Sequence, residues 1–269
     1  MPLVLCLMLS VMGIAEVCSN CQVIVRKRNA FNVLLQLSPA ERSQAEETHL
    51  PFGVPDTPGA TNEEILHNEH YIINYDKDLK IPIWVAYRLR DSDVVTADRL
   101  NCFRTDIRLP DPADSPSCDD YAGSGFDRGH LVPRADINRS EAAMINTFMF
   151  TNMAPQLGTG FNRDLWAHFE RRVRKWAQDH REVYVISGSI FDRDGDGVRD
   201  DDDDKEVTEL SSEVAVPSHF FKIVITDGPN EEIDALAVIL PHQVFTFSSG
   251  GVGVRDQELE NHIETILDI

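Results

Sequence analysis

The sequence predicts an α+β fold in which strands dominate and a few helices pack on them. Two observations support this class. Runs of β-branched and aromatic residues recur along the chain with partial alternation, and one strongly amphipathic segment stands among them. A length of 269 residues, 42% of them hydrophobic and 26% charged, fits one large domain or two small ones.

Six segments have the pattern of strands, and a polar stretch at 76–78 between the first two suits a hairpin turn. They are 71–75, 81–89, 148–153, 183–190, 213–226 and 235–240. An amphipathic helix is predicted over 163–178 because apolar residues recur there at helical spacing. These residues are Leu165, Trp166, Phe169, Val173 and Trp176. A second helix is predicted over 257–267.

The N-terminal segment 1–15 is predicted to be a signal peptide, because it is apolar, too short to span a bilayer, and has small residues at Gly13 and Ala15 before a cut. A buried strand or helix is the alternative. Residues 16–49 form a predicted N-terminal extension, and 50–269 one continuous domain after the Pro/Gly-rich stretch 51–58. We therefore expect a secreted, extracellular protein without a membrane partner once the signal is removed.

Cysteine usage agrees with export. Removal of the signal peptide also removes Cys6 and leaves four cysteines, an even number that indicates disulfides. Cys102 and Cys118 are predicted to pair across a Pro- and Asp-rich loop. Cys18 and Cys21 then pair with each other or with another chain, so a homodimer is compatible with the sequence. Their CxxC spacing lacks the second pair that a zinc site requires.

The chain as a whole is strongly acidic, but one segment of it is not. A formal net charge of −20 argues against binding nucleic acid through the whole surface. Residues 124–176, however, contain eight Lys/Arg against five Asp/Glu, a local balance of +3. A basic strip on an acidic body is one interpretation of the run Arg171, Arg172, Arg174 and Lys175; an ordinary solvated helix face is the other.

The sharpest chemical signal is the segment 124–130, SGFDRGH. Its glycines permit tight turns and close approach to a ligand, and Arg128 offers a planar fork for a phosphate. His130 belongs to the one side-chain type whose unperturbed pKa lies near neutrality, as a general base requires. Alone, the segment could equally be a hairpin with a satisfied histidine. It is followed, however, by TNMAPQ at 151–156, FNRDLW at 161–166 and Glu170.

With these motifs in this order, residues 50–269 resemble the DNA/RNA non-specific endonucleases, which have a ββα-metal (His-Me finger) fold with a central, mainly antiparallel sheet. The resemblance implies an endonuclease that hydrolyses phosphodiester bonds of DNA and RNA to 5′-phosphate and 3′-hydroxyl ends. It implies Mg²⁺ as cofactor, with Mn²⁺ as a substitute.

The resemblance also implies catalytic roles. His130 corresponds to the general base that activates water, Arg128 to a phosphate contact and Asp127 to a residue that orients the loop. Asn152 corresponds to a polar support of the site. Glu170 corresponds to a carboxylate that reaches the metal ion through water.

The metal ligand and the substrate contacts follow from the same resemblance. Asn162 corresponds to the single direct ligand of Mg²⁺, and eight helical residues, about 12 Å, separate it from Glu170. Both cannot ligate one ion directly from inside the helix, so Asn162 is expected at the helix start. Arg163 is a further substrate contact, and an upstream arginine is expected to be Arg104 or Arg99.

A second metal signal lies in the acidic insertion loop 192–206. Aspartates occupy positions 1, 3, 5, 9 and 12 of a calcium-type loop, and they are Asp192, Asp194, Asp196, Asp200 and Asp203. The last position lacks the usual Glu, and no flanking helix pair is evident. A structural Ca²⁺ site and a solvated acidic insertion both remain open.

Two other functions compete with the Mg²⁺-dependent endonuclease, and the first of them is not enzymatic. One is a catalytically retired nuclease fold that acts as a calcium-stabilised extracellular binding protein. The other is a zinc-dependent HNH-type nuclease, which lacks additional His ligands at a plausible spacing. The presence of Asp127, Arg128, His130, Asn162 and Glu170 together favours the Mg²⁺-dependent enzyme.

Overall fold

A computed structural model describes residues 18, 35–57, 59, 61–94, 101–196, 199, 214–227, 233–247 and 251–264. Its α-helices are α1 (Pro39–His49), α2 (Glu141–Asn146), α3 (Ala167–His180) and α4 (Val252–Glu260), and a π-helical segment, Gly158–Trp166, leads into α3. Its strands are β1 (Glu63–His67), β2 (Ile72–Asp76), β3 (Ile81–Arg90), β4 (Phe126–His130), β5 (Met153–Leu157), β6 (Glu182–Ile190), β7 (His219–Asp227), β8 (Ile233–Pro241) and β9 (Ile263–Glu264).

The main sheet has the order β1-β2-β3-β6-β7-β8-β9, and every neighbouring pair is antiparallel. Strand β2 is buried along its whole length, because helices and loops cover both faces of the sheet centre. At the β3–β6 register Trp84 lies opposite Gly188, where a Cβ atom would come within 2.1 Å of the Ile83 carbonyl oxygen. The predicted α+β class with a mainly antiparallel sheet is therefore confirmed.

A second, two-stranded sheet of β4 and β5 stands apart from the main one. The π-helical segment and α3 follow it directly in the chain. Phe161, Trp166 and Phe169 of this helical stretch are fully buried and belong to the main hydrophobic core. Hairpin and helix thereby form one ββα unit anchored on the sheet by aromatic packing.

Helix α1 lies inside the segment predicted as an extension, yet it packs on the domain. Ser38 and Glu41 form a capping box, with the Ser38 backbone N–H 2.7 Å from the Glu41 carboxylate. Ala45 of α1 packs against Ile72 and Trp84 of the sheet. The folded unit thus includes residues N-terminal to position 50.

Several element bounds differ from the sequence predictions. The segment 148–153 is not a strand: a 3₁₀ turn, Phe150–Asn152, precedes β5, because side-chain hydrogen bonds of Asn152 bend the chain there. The second helix begins earlier, at Val252, and ends before β9. Strand β1 was not predicted from the sequence, because its residues, EEILH, have the charged character of an edge strand and lack the apolar alternation of the other strands.

The predicted disulfide between Cys102 and Cys118 is wrong. Cys118 is bonded to Cys18, with a Cα–Cα distance of 5.6 Å across 100 residues of sequence, and Cys102 is in a different disulfide. The physical reason is that the backbone N–H of Cys18 donates to the Phe103 carbonyl at 3.0 Å, which brings the N-terminal chain alongside the loop.

The predicted signal peptide at 1–15 and Cys21 lie outside the described residues. In the part of the chain that is described, none of the helices combines the length and apolar character needed to cross a bilayer.

Candidate functional site

The β4–β5 hairpin carries the candidate general base. Asp127 pairs with Gln156 and His130 with Met153 in an antiparallel register. Gln156 is fully buried and lies against Gly129, where a Cβ atom would be only 2.2 Å from its Oε1. Glycine is therefore required next to His130 for the two strands to approach.

Asp127 connects the hairpin to the helical segment. Its carboxylate accepts hydrogen bonds from the Asn162 Nδ2 at 2.9 Å and from the Arg163 Nε at 2.7 Å. Burial by itself raises the pKa of Asp127, but the hydrogen bonds from Arg163 and Asn162 outweigh it and hold the pKa below its usual value. Asp127 is therefore a charged anchor for both side chains.

Asn162 lies at the start of the helix, as predicted. The backbone is non-helical at Thr159 and Gly160, and helical geometry resumes at Phe161. Gly160 has a φ of +84°, and a Cβ there would come within 2.6 Å of the Phe245 carbonyl oxygen. The kink at Gly160 thus places the Asn162 amide beside β4 instead of further along the helix.

His130 is held by its backbone and by aromatic neighbours. Its carbonyl oxygen accepts from the Trp166 Nε1 at 3.3 Å. Its ring packs edge-on against Phe148, with 4.8 Å between ring centroids, and lies 5.9 Å from Phe103. Asn162 and Trp166, one helical turn apart, therefore hold the two ends of β4.

Asn152 fixes the chain that leaves His130. It is fully buried, its Oδ1 accepts from the Val132 backbone N–H at 2.9 Å, and its Nδ2 donates to the carbonyls of Val132 at 3.0 Å and Thr147 at 2.8 Å. Such a satisfied buried amide acts as a rigid connector. The supporting role of Asn152 in catalysis stays a prediction.

Arg128 occupies a cradle of backbone and rings. Its Nη2 donates to the Cys118 carbonyl at 3.2 Å, and its guanidinium carbon lies 5.0 Å from the Phe103 ring centroid and 5.8 Å from that of Tyr121. Its Nε is buried and has no hydrogen-bond partner among the described residues. The planar guanidinium as a whole is of the type that binds anionic oxygens.

Glu170 sits in the first turn of α3 in a buried, charge-rich surrounding. Burial raises its pKa to about 7, an effect partly offset by Lys222 and Arg174. Lys222 is itself fully buried, donates to the Ser187 hydroxyl at 3.2 Å and lies 4.4 Å from the Trp166 ring centroid. Sequence reasoning missed Lys222, although a lysine in an otherwise apolar strand run is a signal for it.

Arg104 does not fit the substrate contact predicted for it. It is 1% exposed, and its guanidinium donates to the Asn146 Oδ1 at 2.7 Å and to the Ile145 carbonyl at 3.3 Å. Burial lowers its pKa to about 10. These internal bonds direct the side chain into the protein; the alternative candidate, Arg99, lies outside the described residues.

The basic strip is partly neutralised by acidic side chains, two of them distant in sequence and one on the same helix. Arg174 pairs with Asp136 at 2.6 Å, Arg172 lies 3.4 Å from Asp256, and Lys175 pairs with Asp179. Arg163, with a side chain 68% exposed, is the predicted substrate contact that does face solvent, although it also pairs with Asp127.

The insertion loop brings three of its predicted ligands together. Carboxylate oxygens of Asp192, Asp194 and Asp196 all lie within 4.8 Å of one another. Asp200 and Asp203 lie outside the described residues. The calcium loop therefore stays a prediction.

The sequence profile of the family described as DNA/RNA non-specific endonuclease matches residues 50–269. The chain belongs to this endonuclease family. The family resemblance predicted from the DRGH, TNMAPQ and FNRDLW motifs is thus confirmed, and the ββα unit of β4, β5 and α3 is the part of the fold in which these motifs meet.

Two relatives and one solved structure show how far the endonuclease similarity extends. Nuclease C1 of Cunninghamella echinulata var. echinulata is 34% identical over 208 residues, which cover 75% of this chain and 79% of that protein. Mitochondrial endonuclease G of Caenorhabditis elegans is 34% identical over 193 residues, 70% of this chain and 61% of the relative. A crystal structure of the EndoG/EndoGI complex matches with a TM-score of 0.65 and 26% identity, covering 81% of this chain and 86% of that one.

Proposed function

We propose that this member of the family is a secreted, Mg²⁺-dependent endonuclease that cuts both DNA and RNA to 5′-phosphate and 3′-hydroxyl ends. The observation that carries the proposal is the hydrogen bond from Asn162 to Asp127, which fixes the candidate metal ligand against the strand that ends in His130. A base and a metal ligand on one rigid ββα unit are together sufficient for metal-assisted phosphodiester hydrolysis.

The described side chains fit a magnesium ion. Because the Asn162 Nδ2 is held by Asp127, the amide oxygen is the atom left to act as ligand, and it is a hard donor of the kind Mg²⁺ prefers. Burial disfavours the charged form of Glu170, and a divalent cation near its carboxylate would favour that form. When bound, the ion neutralises charge that develops on phosphate oxygens.

The residues of the chain supply the remaining chemistry. The imidazole of His130 takes a proton from a water molecule as its oxygen attacks phosphorus in line, and the bond from phosphorus to the 3′-oxygen breaks. The departing oxygen gains a proton from solvent and becomes the 3′-hydroxyl. The guanidinium of Arg128 donates to a phosphate oxygen. Because no step uses a 2′-hydroxyl, DNA and RNA are both substrates.

Export is the second part of the proposal. A disulfide between Cys18 and Cys118, and a further one at Cys102, agree with an oxidising compartment, where disulfides persist. A structural Ca²⁺ in the loop of Asp192, Asp194 and Asp196 belongs to the same proposal, since extracellular calcium sites work at high ion concentration. Calorimetry with Ca²⁺ on wild type and Asp194→Ala tests the loop, and no heat from wild type at millimolar Ca²⁺ argues against it.

Plasmid nicking is the test of the enzymatic proposal. Wild type is expected to nick and linearise plasmid and to degrade RNA with Mg²⁺, to lose activity with chelator, and to lose roughly 10²- to 10⁴-fold in His130→Ala. Intact plasmid after incubation with folded wild type and Mg²⁺ would instead support the retired binding protein. N-terminal sequencing of protein recovered from the medium tests export and the cut after Ala15.

A further inference from the structure

The contacts that orient Arg128 come from two separate stretches of chain. Cys118 provides the carbonyl that accepts from its Nη2, and Tyr121 provides one ring, while Phe103 provides the other. These groups form the arginine cradle. Tyr121 also stacks on Phe150, at 5.7 Å between centroids.

Cys18 joins the two stretches. Its sulfur is bonded to Cys118, and its backbone N–H donates to the Phe103 carbonyl at 3.0 Å. One residue, 9% exposed, therefore holds both sides of the cradle, covalently on one side and by a hydrogen bond on the other. Cys18 lies well before residue 50, where the family match begins.

The cradle needs such a link because little regular structure supports it. Between residues 101 and 125, the only helical element is the 3₁₀ turn Pro112–Asp114, and the one β-type contact is the bridge from Arg104 to Met149. Loops without ladder hydrogen bonds are mobile. An arginine side chain has large rotamer entropy, so a moving cradle would leave its guanidinium poorly directed.

We propose that the Cys18–Cys118 disulfide is a positioning element of the active site, which preorganises Arg128 for a phosphate through the Cys118 carbonyl and the rings of Phe103 and Tyr121. The inference rests on the proposed function, since it assigns Arg128 the phosphate contact. It adds that the N-terminal segment before residue 50 contributes to catalysis from outside the family domain.

A double-mutant cycle distinguishes an effect of the disulfide on the position of Arg128 from an effect on the stability of the whole protein. Cys18→Ser/Cys118→Ser, which leaves no unpaired thiol from this bridge, is expected to lower kcat/KM on DNA about tenfold, because small misplacements of a binding group are costly. In an Arg128→Ala background the same change is expected to cost less than twofold. His49→Gln, a destabilising change remote from the cradle, serves as control and keeps wild-type kcat/KM at the assay temperature.

A second variant covers the case in which the serine pair does not fold. Phe103→Leu leaves the disulfide in place and removes one ring beneath Arg128, and its loss of kcat/KM should likewise vanish in the Arg128→Ala background. The inference would be overturned if Cys18→Ser/Cys118→Ser or Phe103→Leu kept the wild-type kcat/KM. It would also be overturned if either change lowered kcat/KM by the same factor in the Arg128→Ala background as in wild type. A wild-type protein that cuts no DNA would instead overturn the proposed function, so the two failures are distinguishable.

Discussion

The side-chain Nδ2 of Asn162 donates to the Asp127 carboxylate at 2.9 Å, and this bond ties the helical segment that leads into α3 to the strand that ends in His130. The sequence separates the two residues by 35 positions. The bond gives Asn162 a fixed orientation before any ligand arrives, which is how outer contacts commonly tune a metal ligand.

Replacing Asp127 by Asn should therefore loosen Asn162. We expect the Mg²⁺ concentration needed for half-maximal activity to rise roughly 10- to 100-fold, because the metal ligand loses the hydrogen bond that orients it. The measurement is the Mg²⁺ concentration for half-maximal nicking. Arg163→Gln is the matched control, because it removes the other partner of Asp127 but leaves the bond to Asn162; a shift in the control as large as in Asp127→Asn would contradict the assignment.

Gly129→Ala tests the close approach of β4 and β5. The added Cβ would lie 2.2 Å from the Gln156 Oε1, so either Gln156 or the strand must move. We expect destabilisation of about 1–3 kcal/mol, measured by urea unfolding, together with reduced nicking. Gly251→Ala, where a Cβ meets nothing within 4 Å, should be close to neutral.

The raised pKa of Glu170 leads us to expect that metal binding depends on pH. Its folded-state pKa is raised to about 7, so in metal-free protein its stabilising effect is complete below its ordinary value of 4.5 and is lost as pH rises through about 7. In the proposed site, binding of Mg²⁺ needs the charged form of the Glu170 carboxylate. The Mg²⁺-induced rise in Tm should therefore shrink as pH falls from 8 toward 6 (roughly the range around that pKa), and Glu170→Gln should show little change over the same range.

The contact that His49 makes between α1 and the sheet is expected to weaken in acid. Its Nδ1 accepts from the Arg88 backbone N–H at 3.1 Å, and burial lowers its pKa to about 4. The neutral ring stabilises the fold fully above pH 6.5, and this contribution, about 3 kcal/mol by linkage, is lost as pH falls through about 4. In urea unfolding, the difference between wild type and His49→Gln should narrow between those pH values; a constant difference would argue against this cause.

Salt should weaken substrate binding, because an acidic body meets DNA through few positive contacts. We expect KM for DNA to rise steeply with NaCl, and the slope of log KM against log salt to fall by about 1 in Arg128→Ala. Lys175→Ala is the control, since Lys175 already pairs with Asp179. A KM that is independent of salt would contradict phosphate-dominated binding.

The sequence by itself determined the fold class, most strands, and the residue types of the site. Strands such as β3 and β6 were predictable because their own β-branched and aromatic residues favour them. The motifs also identified His130, Asn162 and Glu170 as candidates and placed Asn162 at the helix start, because helix geometry excludes two direct ligands eight residues apart.

Only the tertiary structure decided contacts between residues distant in sequence. It paired Cys18 with Cys118 across 100 residues, turned Arg104 inward onto Asn146, and set Lys222 beneath Trp166. Local patterns report which side of an element is apolar, whereas partner choice depends on which loops and strands pack together. That choice is made by the whole chain as it buries its core, and no local window contains it.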